Sequence, residues 1–210
     1  MKHVRAFLAL LVAGVLCLSL LAGCGNAMDT STPDGTLKSM LTAVKNGDYQ
    51  AMQELSGESL SSDPEDADLM KSAGELVRVF FQNVDVEVSL KDSDETRAIV
   101  TVQGKTSDLS ALGEDMAEEF QKEVSVWALE NMDRLIKLST EEMQKETIKV
   151  MTPILKKYIG ELPQKEVQAE VIMTKNSAGR WVVSENSSSD MMRILFGTSD
   201  EVDIGSLLAA

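Results

Sequence analysis

Val84-Asp85-Val86-Glu87-Val88-Ser89-Leu90 alternates apolar and polar residues, and after Lys91-Asp92-Ser93-Asp94-Glu95 the alternation resumes at Ala98, Val100 and Val102. A period of two places every second side chain on one face, so this stretch predicts two half-buried strands joined by a turn over 91–95. The pattern returns far along the chain. Val167, Ala169, Val171 and Met173 alternate with polar residues, Asn176-Ser177-Ala178-Gly179 reads as a turn, and Trp181-Val182-Val183 as a last strand. The inward positions of both hairpins are Val, Leu, Ala and Met, and most of the acids fall on the opposite parity.

Around the hairpins the period becomes helical. From Pro33, the residues Leu37, Met40, Leu41 and Val44 keep the i, i+3, i+4, i+7 spacing of a helix with one buried face. Asn46-Gly47 should stop it, and Asp48 should cap a short second helix carrying Met52 and Leu55. A Ser/Gly/Asp-rich loop leads to a third helix burying Leu69, Ala73, Leu76, Val77 and Phe80. Between the hairpins, residues 108–160 predict a helical pair. Leu112, Met116, Phe120, Val124 and Trp127 form one stripe, continued by Met132, Leu135 and Ile136. Ser139 with Glu142 reads as a capping box opening the second helix. That helix should bury Met143, Met151, Leu155, Tyr158 and Ile159, bend or restart near Pro153, and stop at Gly160. Met191–Phe196 is a short apolar segment ending at Gly197, and 198–210 reads as a frayed tail. The fold class is α+β, in one domain over 33–197.

Helices, a hairpin, and a second hairpin with Gly-x-Trp form an order that resembles the nuclear transport factor 2-like superfamily, the ketosteroid-isomerase-like cone. The likeness rests on Ala43-Val44-Lys45-Asn46-Gly47-Asp48-Tyr49 within 33–55, on 84–102, and on Gly179-Arg180-Trp181 within 166–183. Within that superfamily the chain is most similar to uncharacterised lipoproteins of Gram-positive bacteria, through Asp108-Leu109-Ser110-Ala111-Leu112 and the C-terminal Leu-Phe-Gly. The resemblance implies a curved antiparallel sheet of about four strands wrapped by N-terminal helices. The insertion at about 108–160 departs from the compact pattern. The resemblance implies no one activity, because the fold carries both isomerases working through a buried Asp and pure binding modules.

The N-terminus reads independently of the fold. Lys2 and Arg5 precede an apolar run from Ala6 to Ala22, the arrangement of an export signal. The run ends in Leu21-Ala22-Gly23-Cys24, which resembles the lipobox of bacterial lipoproteins. That resemblance implies cleavage between Gly23 and Cys24, a diacylglycerol on the Cys24 thiol, and residence on the outer face of the cell membrane. Two acyl chains hold a protein stably where one binds reversibly. Residues 24–32 read as a lipidated tether, whose eight residues after Cys24 could span at most about 28 Å.

Cleavage would remove Lys2, Arg5 and His3, leaving 18 Lys plus Arg against 34 Asp plus Glu and a formal charge of −16. Such a surface repels phosphate backbones and anionic lipid headgroups, so neither a nucleic-acid partner nor a peripheral basic contact with lipid is expected. Cys17 departs with the signal and Cys24 is consumed by lipid, so the mature domain has neither a thiol nor histidine. Most nucleophilic triads and all zinc sites built from Cys or His are thereby excluded, and no cofactor is implied. Asp63, Glu65, Asp66 and Asp68 cluster without the Gly and Glu that a calcium loop needs, and read as a solvated helix start. The eleven methionines of the mature chain suit ordinary core filling, with an adaptable apolar site as the sharper reading. Phe80, Phe81, Trp127 and Trp181 are the candidate pocket-lining residues. Three functions follow in order: a non-catalytic tethered module binding an apolar small molecule or an envelope protein, an interaction lipoprotein with a filled core, and a carboxylate-based isomerase or hydratase.

Overall fold

The computed structural model describes residues 28–56, 74–111 and 114–198. The lipobox, the acidic cluster at 63–68, Leu69, Ala73, Leu112 and the tail beyond Thr198 lie outside these residues.

Strands β1 (Asp85–Ser93), β2 (Arg97–Ser107), β3 (Gln164–Lys175) and β4 (Trp181–Val183) form one antiparallel sheet in the order β1-β2-β3-β4, curved and unclosed. The period-two reading holds best in its centre. Ala98, Val100 and Val102 of β2 and Val167, Ala169, Val171 and Met173 of β3 are all buried, at 4% exposure or less. The first hairpin differs from its expected outline. β1 runs on through Lys91-Asp92-Ser93, and its register slips by one residue between Leu90 and Asp92. The Asp94 carboxylate closes the turn by accepting the backbone N–H groups of Thr96 and Arg97, each at 2.8 Å. One local acceptor thus does what a five-residue loop was expected to do, and the bulge absorbs the extra residue. Leu90, at the bulge of an edge strand, is 44% exposed instead of buried.

Helices α1 (Pro33–Asn46), α2 (Tyr49–Ser56) and α3, whose described turns are 74–81, precede the sheet. Thr32 caps α1 by accepting the Gly35 N–H, and Gly47 ends it in the left-handed conformation at φ 62°. A Cβ on Gly47 would stand 1.9 Å from the Gly74 carbonyl oxygen, so both the conformation and the contact with α3 require glycine. Asp48 caps α2 by accepting the Ala51 N–H at 3.0 Å.

The C-terminal segment does more than its length suggested. It forms α7 (Ser188–Phe196), which packs on β2 and β3. Ile194, Leu195 and Phe196 are at most 2% exposed, and Phe196 meets Phe81 edge-on with centroids 5.2 Å apart. Hydrogen bonds pin this cover at buried polar points. Thr106 donates to the Leu195 carbonyl, and the Ile172 N–H donates to Ser187 Oγ.

The insertion leaves β2 at Ser107 and re-enters β3 at Gln164, which are paired, and the Asp108 N–H donates to the Pro163 carbonyl across its root. It comprises α4 (Glu114–Glu130), α5 (Met132–Leu135) and α6 (Thr140–Glu161). The capping box is present in full: Ser139 accepts the Glu142 N–H, and the Glu142 carboxylate accepts the Ser139 N–H. Two expectations are corrected. Helix α6, continuous past Pro153, runs on through Gly160 to Glu161 instead of stopping at the glycine. It ends because Leu162 turns to extended backbone before Pro163, whose ring disfavours helix in the residue preceding it. The apolar stripe also does not stay buried: Met132, Ile136 and Met143 are 51%, 71% and 40% exposed, because among the described residues no third element covers that end.

Candidate functional site

The four aromatic candidates do not converge. Phe80 and Phe81 lie in the core, with ring centroids 6.4 Å apart, and Phe81 leans on Phe196. Trp181 is buried at the start of β4, with the Lys175 ammonium 4.9 Å over its ring. Trp127 stands apart on α4, half-buried, its carbonyl accepting Asn131 Nδ2 at 2.8 Å. Gly23 and Cys24 lie outside the described residues. The face of the sheet that a cone would offer to a ligand is filled by side chains from α1, α3 and α7.

No described Asp or Glu is buried. Every described carboxyl with a resolved shift is moved down. The Lys157 ammonium holds Glu123 below the ordinary glutamate range, the Arg134 guanidinium does the same for Glu146, and the Ser139 N–H does so for Glu142. General acid catalysis near neutrality needs the opposite, a carboxyl kept protonated by burial. The one resolved tyrosine goes the other way: burial, then its hydrogen bond to Glu123, raises Tyr158. This group is a clamp. The Tyr158 hydroxyl donates to Glu123 at 3.1 Å and Lys157 pairs with Glu123 at 3.0 Å, binding α6 to α4 where Phe120 meets the Tyr158 ring edge-on. Among the described residues no cluster of three or more acidic side chains is arranged to hold a metal.

Two surface features remain. The first is the far end of the insertion, where Val126, Leu129, Met132, Ile136 and Met143 are 40–71% exposed, Leu129 and Ile136 most of all. Arg134 of α5 pairs with Glu146 of α6 at 2.8 Å, so this end is held together by a surface ion pair and the capping box instead of by a core. The methionines divide accordingly. Met40, Met52, Met151, Met173 and Met191 fill the core, and Met132 and Met143 face outward. Sequence periodicity could not find this patch, because a stripe of apolar residues looks the same whether or not something covers it.

The second feature is a groove of about 580 Å³ along α1, between the incoming chain at Met28-Asp29 and Val88 of β1. Its walls carry Asp29, Asp34, Lys38, Thr42 and Asp48, so it is as much polar as apolar. Nothing in the sequence reading pointed to it, since it depends on where residues 28–32 fold back.

The crystal structure of "a putative lipoprotein (ycdA)" from Bacillus subtilis subsp. subtilis str. 168 is similar at 20% identity and a TM-score of 0.40, over 84% of this chain. The chain spans about half of that structure's length, 52%. No curated protein matches. The family described as a domain of unknown function (DUF5105) matches residues 34–196, from the first turn of α1 to the last residue of α7, and the chain belongs to that family.

Proposed function

We propose that this chain is a lipid-anchored protein of the outer face of the cell membrane, without catalytic activity, that engages an envelope protein through the far end of its helical insertion. The observation that carries the reading is the contrast in apolar placement: the sheet face is filled, and the large exposed apolar side chains gather at one end of α4–α6. Grouped exposed apolar side chains on an otherwise acidic surface are the usual mark of a protein contact. The lipobox supports the anchor, and the absence of any buried carboxylate among the described residues speaks against an isomerase. The filled face likewise speaks against an apolar ligand held on the sheet. The nuclear transport factor 2-like relationship remains part of this reading, supported by the order of helices and hairpins.

The test is photo-crosslinking in cells from positions 129 and 136, with native mass spectrometry of residues 25–210 purified from envelope extract. A discrete crosslinked envelope protein and a mass free of adducts are the expected results. A small-molecule adduct of constant mass, with no crosslink, would overturn the reading in favour of a ligand carrier. Cys24→Ala should leave an unprocessed precursor that takes up no labelled palmitate, and normal processing would remove the anchor from the proposal.

A further inference from the structure

Where the chain enters the domain fixes which face meets the membrane. Residues 28–32 do not hang free. Met28 packs against the core, and the Asp29 carboxylate accepts the Ser31 N–H at 3.1 Å and the Ser31 hydroxyl at 2.6 Å. The Asp29 carbonyl accepts Ser39 Oγ at 3.5 Å, and Thr32 caps α1. A Cβ added to Gly35 would meet the Asp29 carboxyl at 2.7 Å, so the incoming chain lies tight against the first turns of α1. The spacer expected over 24–32 therefore shortens at its domain end.

Building on the lipid-anchor reading, we propose that the grooved face of α1, around Met28, Lys38 and Thr42, rests on the phospholipid headgroup layer of the bilayer that holds Cys24. The chain from Cys24 to Met28 can reach at most about 14 Å, whatever its conformation. The headgroup region of one leaflet takes up about 5–8 Å of that distance, from a hydrocarbon core of about 30 Å in a bilayer of 40–45 Å. The gap left is narrower than one helix with its side chains, about 10–12 Å. No folded partner fits between Met28 and the lipid, and the Met28 end of the groove stays within that gap of the surface.

The chemistry of the face agrees with a wet, zwitterionic layer. Asp29, Lys38, Thr42 and Asp48 are exposed, and the groove beside them mixes one ammonium with three carboxylates. Lys38 suits lipid phosphate, and Asp29, Asp34 and Asp48 suit the cationic end of a headgroup. Such a face has little affinity of its own. The anchor supplies the contact by raising local concentration, as any short link between two weakly attracting surfaces does.

The mature chain has no cysteine besides Cys24, so Thr42→Cys gives a single labelling site on the groove. The full precursor carrying this substitution is processed in a bacterial host, labelled with a small fluorophore, and reconstituted into phosphatidylcholine vesicles containing a lipid with a nitroxide on its headgroup. Mass spectrometry of the same sample reports the lipid on Cys24. Lipidated protein should be quenched severalfold more than the soluble 25–210 form in the same vesicles, and severalfold more than lipidated protein labelled at Leu129→Cys. Quenching of the soluble form as well would support the same face with an affinity of its own. Lipidated protein quenched no more at position 42 than at 129 overturns the inference and leaves the anchor standing. A mass without lipid removes the anchor and the inference together.

Discussion

The sheet with its covering helices and the helical insertion use the same kinds of residue to opposite ends. In the body, apolar side chains at period two from β2 and β3 meet apolar side chains at helical period from α1 and α7, and the central ones are entirely buried. In the insertion, burial decays along the pair. At the root, Phe120, Met151, Leu155, Tyr158 and Ile159 are buried against the body and each other, and at the far end Leu129 and Ile136 stand mostly in water. A two-helix unit has one shared seam, so residues beyond the body's reach have nothing further to bury against. Pattern states what a side chain could bury, and topology decides whether it does. The two tryptophans fall one in each region, Trp181 in the body and Trp127 in the insertion, so Trp127→Phe and Trp181→Phe variants report the regions separately.

The largest effect is expected in the body. Phe196 is 1% exposed and touches Phe81 edge-on, so Phe196→Ala leaves a cavity between α7 and the sheet and should cost about 3–5 kcal/mol. Urea unfolding followed through Trp181 measures it. A loss under about 1 kcal/mol would mean that α7 is an ornament on the sheet and that the body is less sharply distinguished from the insertion than its burial suggests.

Most of this body was legible in advance, because its signals are local. Helix ends at Gly47 and Gly197, the cap at Asp48, and the alternation through β2 and β3 each depend on a few neighbouring residues, as does the Ser139 cap in the insertion. What escaped depends on distant ones. The extension of β1 past Leu90 is decided by the pairing of Asp92 with Ile99 and Ser93 with Ala98. The role of α7 as a cover is decided by β2 and β3. The end of α6 is an exception: Gly160 resembles a stop, yet the nearby Leu162 and Pro163, themselves local signals, set it. The candidate pocket residues are large aromatics, a property shared by core anchors, and three of the four are buried in the body. The surface features were illegible for the same reason: both are defined by what fails to cover them.

Smaller effects should appear in the insertion alone. Ser139→Ala removes half of the capping box and should cost about 1 kcal/mol, read as an earlier urea transition of Trp127 with Trp181 nearly unmoved. Coincident shifts of both probes would show that the insertion and body unfold as one unit. Acid should separate them as well. Glu123, Glu142 and Glu146 all belong to the insertion and all have folded pKa values lowered from the ordinary glutamate value. A depressed carboxyl contributes stability that is present above its unfolded pKa and lost as pH falls through its folded one. Asp29 and Asp94 of the body are lowered too, but from the lower aspartate value of about 3.9, so lowering pH through the glutamate range should loosen Trp127 before Trp181. Because these groups are largely solvated, salt should blunt the effect. An acid transition seen first at Trp181 would reverse the assignment.

The smallest expected change is the most informative about function. Leu129→Ser and Ile136→Ser replace side chains that are 67% and 71% exposed, so there is little burial to lose and stability should move by no more than about 0.5 kcal/mol. Leucine and isoleucine held in water bury little that serine would not, yet they enlarge a sticky surface on a protein of strongly acidic composition. If the double variant unfolds as the parent does and loses its crosslinked partner, these residues serve a contact outside the chain. If instead it loses more than about 1 kcal/mol, the far end of the insertion is covered by the chain itself, and the body and the insertion would then obey one rule of burial.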